Sequence, residues 1–257
     1  MIVVVRLLGV DFANRVGLAA GYDRNGVHIR DAPEWGFGFV ELGTVTPRPI
    51  EGHNAGVQAL ARRLRARAPG DIVVGANLGV QPGRPVAHAW CDYMAGMRAL
   101  TPFVHYLAIN LTGESTCELL APHNEGLFVQ TLAVLSDARR RRGAPALLLK
   151  LPIEAALRND ARIMRQVRTA AIDGVIAVRE GRGDQQVARL ASVISKHMVL
   201  IIAGGIDDIA QALSCVRAGA DLVQMYRGFA TGGPARVHAI ASALCHEAWA
   251  AASRTSA

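Results

Sequence analysis

Aromatic side chains are scarce in this chain: 5% of 257 residues, with three Trp, four Tyr and six Phe. So few flat side chains leave little platform for stacking bases, and a nucleic-acid partner is disfavoured despite a formal charge of +7. That charge comes mostly from arginine, and the run Arg139-Arg140-Arg141-Arg142 reads as the solvated end of a helix. The four cysteines, Cys91, Cys117, Cys215 and Cys245, are widely spaced and form no metal-ligand pattern, as expected of reduced thiols in a cytoplasmic protein. Long apolar runs are missing too. Met1-Ile2-Val3-Val4-Val5 stops at Arg6, too short for a signal peptide or a membrane span, and reads as the first strand of a small hairpin. No membrane anchor is visible. No Gly-x-Gly-x-x-Gly follows the first barrel-type strand, which counts against a dinucleotide-binding open sheet.

What is present is apolar and rich in turns: 51% hydrophobic residues and 26 Gly. Short apolar runs recur at residues 15–21, 37–44, 72–77, 105–110, 146–151, 174–178, 200–203 and 220–228. Between them lie segments with apolar residues at helical spacing, such as 124–142 and 154–171. Alternation of short buried strands with amphipathic helices calls for a parallel sheet. Eight units within about 250 residues favour a closed (βα)8 TIM barrel. A doubly wound open sheet is the structural alternative. No shift in composition marks a second domain, so residues 1–257 are read as a single domain.

In such a barrel chemistry sits at the carboxyl ends of the strands. Those ends carry a polar inventory: Arg24 just beyond the first, Thr44 on the second, Asn77, Asn110 and Lys150 on the third to fifth. The seventh run, Leu200-Ile201-Ile202-Ala203, enters Gly204-Gly205, and Asp207 or Asp208 can cap the helix after it. The eighth ends at Tyr226-Arg227-Gly228. Two adjacent strand ends of this kind suit a phosphate cradle. Amides, hydroxyls and one lysine suit the polar edge of an isoalloxazine ring, where a cation stabilises charge on the reduced flavin.

Three stretches carry a resemblance. Gly17-Leu18-Ala19-Ala20-Gly21-Tyr22-Asp23-Arg24-Asn25-Gly26, then Gly36-Phe37-Gly38-Phe39-Val40-Glu41-Leu42-Gly43-Thr44-Val45-Thr46-Pro47-Arg48-Pro49, then Leu222-Val223-Gln224-Met225-Tyr226-Arg227-Gly228-Phe229 resemble dihydroorotate dehydrogenase, most nearly its quinone-linked class 2. The resemblance implies an FMN-binding barrel. Position by position it implies FMN contacts at Ala20, Thr44, Asn77, Asn110 and Lys150. It places the phosphate at Gly204, Gly205, Tyr226 and Arg227, with Arg227 replacing a small hydroxyl residue.

The departures concentrate where dihydroorotate would react. Arg24 replaces a lysine. The loop after strand four, Asn110-Leu111-Thr112-Gly113-Glu114-Ser115-Thr116, has Gly113 at the position of the catalytic serine and Ser115 at that of a substrate-binding asparagine. Val178-Arg179-Glu180 stands for Thr-Asn-Thr. The segment that floors the orotate pocket is absent between Gly52 and His53, and the class 2 amino-terminal extension has no counterpart in the sequence. The expectation is therefore an FMN-dependent oxidoreductase acting on a different small, anionic substrate, with Arg24 and Arg179 as cations. Lys150, Thr112, Glu114 and Arg24 are the catalytic candidates, and Glu114 qualifies as a base only if partly buried. Cys117 is a weaker candidate, four residues from the matching position. A non-catalytic binding module, a true dihydroorotate dehydrogenase with a relocated base and, last, a tRNA-modifying flavin barrel are the alternatives. A homo-oligomer is compatible with the sequence.

Overall fold

The computed structural model describes residues 4–66, 72–142, 145–158, 162–181, 184–194 and 197–255. It opens with an antiparallel hairpin, β1 (Val5–Leu7) against β2 (Val10–Phe12). The expected hairpin is there, but its first strand begins at Val5; Met1, Ile2 and Val3 lie outside the described residues.

Eight parallel strands then close into a barrel: β3 (Val16–Leu18), β4 (Phe39–Val45), β5 (Val73–Leu78), β6 (Tyr106–Asn110), β7 (Ala146–Pro152), β8 (Gly174–Val178), β9 (Val199–Ala203) and β10 (Leu222–Met225). Neighbours in sequence are neighbours in space, and β10 pairs with both β9 and β3 to complete the ring. The barrel is wrapped by α1 (Gly56–Arg65), α2 (Ala89–Leu100), α3 (Glu114–Cys117), α4 (Glu125–Arg142), α5 (Ile153–Leu157), α6 (Arg162–Thr169), α7 (Asp184–Val193), α8 (Ile209–Arg217) and α9 (Arg227–Thr255), the last kinked at Gly233. The helical segment expected over 154–171 is two helices, because the chain turns extended at Arg158 (φ −69°, ψ 149°).

Side chains alternate across each strand, so every second residue enters the barrel. Phe39, Tyr106, Leu148, Ile176, Ile201 and Leu222 form the inner cluster, while Val40, Leu42, Leu107, Leu149 and Ile202 face the helices. Phe12 of the hairpin belongs to the inner cluster and meets Phe39 edge-on at 5.3 Å, so the hairpin plugs the amino end. Space for the two large inner rings comes from glycine. A Cβ at Gly17 would lie 2.2 Å from the Phe39 ring, and one at Gly75 2.0 Å from that of Tyr106.

Candidate active site

The same period of two that fills the lower barrel with carbon places a polar layer above it. Glu41 follows Phe39 inward on β4 and is wholly buried. Lys150 of β7 reaches across to it at 2.7 Å, and Gln224 Nε2 of β10 donates to its other oxygen at 2.8 Å. Tyr106 Oη donates to that second oxygen at 3.2 Å, and Asn77 Nδ2 to the first at 3.0 Å. A buried carboxylate is tolerated when such donors replace its water. Burial, reinforced by the Glu41 carboxylate, pushes the Tyr106 hydroxyl well above its ordinary range and keeps it a donor.

From Glu41 a chain of hydrogen bonds climbs to the mouth. Thr44 Oγ1 donates to Asn77 Oδ1 (2.7 Å), Asn110 Nδ2 donates to Thr44 Oγ1 (3.0 Å), and Thr112 Oγ1 donates to Asn110 Oδ1 (2.6 Å). Every donor in this chain points inward, towards the carboxylate. Thr44 reaches the chain because the β4–β5 register shifts between Gly43 and Val45, a bulge that re-aims one side chain. Gly43 itself has φ +115°, and a Cβ there would stand 2.6 Å from the Asn77 carbonyl oxygen.

Asn77, Asn110, Thr44 and Lys150 are thus joined in one arc spanning β4 to β7. Asn77 is wholly buried beneath Thr44, whereas Thr44, Asn110 and Thr112 are half-buried at the rim. The second arc spans β8, β9, β10 and β3. Gly204 and Gly205 follow β9 with φ +88° and +66°. Asp208 caps α8 through Gln211 N, and Asp207 instead pairs with exposed Arg227 at 3.0 Å. Tyr226 is half exposed, its ring 6.1 Å from that of Tyr22. Ala20 is half-buried at the tip of β3, next to Gly21, whose amide donates to the Gly43 carbonyl. Gln224, between Glu41 and the β10 tip, ties the arcs together.

Two expectations for the substrate side change. Glu114 is exposed on α3 and lacks the partial burial required of a base. Arg179 does not present its charge to the mouth: its side chain is 1% exposed and engages the carbonyls of Gly204 and Gly205. Arg24 is half-buried with no ion pair among the described residues. Glu41, Tyr106 and Gln224 escaped the sequence reading. The signal was there in Glu41, a charge two residues from Phe39 in a strand otherwise buried on both faces.

A cavity of about 640 Å³ lies elsewhere, at the amino end of the barrel between Asn14, Phe37, Ile72 and the Cys245–Trp249 stretch of α9, and it includes none of these tip residues. Among the described residues no cluster of His, Cys, Asp or Glu could hold a metal, and no helix is long and apolar enough to cross a membrane.

Residues 2–59 match the family model for dihydroorotate dehydrogenase. Two similar curated proteins are the dihydroorotate dehydrogenases (quinone) of Nitrosomonas eutropha, 30% identical with 94% of this chain and 85% of that protein covered, and of Azoarcus, 33% identical with 91% and 84% covered. The chain belongs to the dihydroorotate dehydrogenase family. The crystal structure of the Eimeria tenella DHODH with ferulenol superposes with a TM-score of 0.78 over 94% of this chain and 83% of that one, at 23% identity, a likeness of fold. Dihydroorotate dehydrogenase family membership supports an oxidoreductase of the FMN type. The residues present fit such a group. Lys150 has only Glu41 as a hydrogen-bond acceptor among the described residues and keeps further N–H donors, with 9% of its side chain exposed. The second arc offers backbone N–H groups beside glycines.

Proposed function

We propose that this protein is an FMN-dependent oxidoreductase of the dihydroorotate dehydrogenase type whose substrate is a small molecule other than dihydroorotate. The observation that carries this reading is the Lys150–Glu41 ion pair, buried under a hydrogen-bonded rim of Thr44, Asn110 and Thr112. When bound, FMN supplies a hydride acceptor. Around it Lys150 presents a fixed positive charge, held by Glu41 and so unable to swing into solvent, which favours electron density building up at the mouth. Thr44 and Asn110 offer an oriented hydroxyl and amide to a polar ring edge, with Asn77 fixing Thr44 from below. Gly204, Gly205, Tyr226 and Arg227 hold the phosphate end, where a guanidinium suits a dianion.

The substrate side supports a changed reaction. Gly113 has no side chain to take a proton and serves only as the residue before α3, its carbonyl accepting from Thr116. Thr112 commits its hydroxyl proton to Asn110 and has no base behind it among the described residues. Arg24 is the cation left for an anionic substrate. Quinone, named as the oxidant of the Nitrosomonas and Azoarcus relatives, is the first acceptor to assay.

The test is an FMN titration of the purified protein followed by anaerobic addition of small carboxylic acids. Flavin binding with bleaching by an acid other than dihydroorotate supports the proposal; a protein that binds no FMN removes it. A second reading, a non-catalytic binding module, is favoured by exposed Glu114 and inward-turned Arg179, and it predicts flavin that no substrate reduces.

A further inference from the structure

Arg179 stands at the end of β8 in place of a polar family residue, yet its guanidinium is buried away from the reacting side. Nε donates to the Gly204 carbonyl at 3.1 Å, Nη2 to the Gly205 carbonyl at 3.2 Å, and Nη1 approaches Asp184 at 3.4 Å. In a trans peptide the C=O and the N–H of one plane point opposite ways. Carbonyls of Gly204 and Gly205 turned onto Arg179 therefore turn the N–H groups of Gly205 and Ile206 away from it. Among the described residues no acceptor takes either N–H. The turn also requires glycine: both residues have positive φ, and a Cβ would meet the Arg179 carbonyl oxygen at 2.4 Å or that of Gly181 at 2.6 Å.

We propose that Arg179 is a positioning residue for the phosphate end of the flavin site: it orients two peptides so that their N–H groups receive a phosphate monoester, and it makes the site select FMN over riboflavin. This rests on the flavin reading above. The guanidinium fork bonds two carbonyls at once, and its charge polarises both peptides in the direction that strengthens their N–H donors. Arg227, exposed and paired with Asp207, adds charge at the rim but holds no backbone in place.

The test compares FMN with riboflavin, identical except for the phosphate, by fluorescence titration of the flavin-free protein. Arg179→Met weakens FMN binding about 10–100-fold, the scale of one charge-assisted interaction, while riboflavin affinity stays within about twofold and serves as the check on folding. Arg179→Lys keeps the charge without the fork and falls between the two; it carries the test alone if Arg179→Met does not fold. In the wild type, inorganic phosphate competes with FMN and not with riboflavin. Equal weakening of both flavins, or unchanged FMN binding in the variants, overturns the inference. A wild type that binds both flavins equally also overturns it while leaving a flavin site in place. Failure to bind either flavin instead removes the underlying reading.

Discussion

Cys215, wholly buried on α8, shows what single positions in this barrel feel. Burial pushes its thiol up to about 11 from an ordinary 9.0, with the nearby Arg179 charge pulling weakly the other way. A group whose pKa rises on folding contributes stability below its unfolded value and loses it as pH climbs through the folded one. The Cys215 contribution therefore declines between about pH 9 and 11, and Cys215→Ala flattens that part of a stability-versus-pH curve. At pH 8 a maleimide labels exposed Cys117 readily and reaches Cys215 only on unfolding; equal rates would contradict the burial. Glu41 is the more consequential residue. Glu41→Gln strands Lys150 as a buried charge and costs about 3–5 kcal/mol, read from the denaturant midpoint. A loss below about 1 kcal/mol would mean that water, not Glu41, compensates the lysine.

At the scale of elements, β4 decides the site. Its lower half is ordinary barrel wall, and its upper half bulges at Gly43 to deliver Thr44. Gly43→Ala forces a Cβ to 2.6 Å from the Asn77 carbonyl oxygen in a backbone region unfavourable to alanine. The expected cost is about 1–3 kcal/mol, together with weaker FMN binding, because Thr44 loses its register with Asn77 and Asn110. Normal flavin affinity in Gly43→Ala would separate the bulge from the site. The strands were legible in the sequence because runs such as Val199–Ala203 are apolar on both faces and end at glycine. The bulge was not, since Gly43-Thr44 closes the apolar run, where a glycine reads as the end of the strand rather than as the bulge it also signals. The polar layer was only partly visible: Glu41 and Gln224 stand out as polar residues within apolar strands, but with their neighbours apolar on both faces no alternation tells which face they take or that Tyr106 meets them. The helix expected over 154–171 is interrupted after Leu157, where Arg158 is extended, and stops at Thr169, ahead of Ala171 with φ +52°; no local composition requires either.

Over the whole molecule the barrel separates support from chemistry. The hairpin and Phe12 close the amino end, carbon fills the middle, and the polar layer of Glu41, Lys150 and Gln224 carries the tips. The family likeness runs through this frame, while Gly113 leads into α3 without a side chain and Arg179 turns onto the Gly204 and Gly205 carbonyls. The proposed function requires that the flavin site survive and that the dihydroorotate reaction be lost. Anaerobic absorbance spectroscopy of the FMN-loaded protein, before and after addition of dihydroorotate, tests both halves at once. The account predicts a stably bound oxidised flavin whose spectrum dihydroorotate leaves unchanged. Bleaching of the flavin by dihydroorotate, or a protein that takes up no FMN at all, would contradict it.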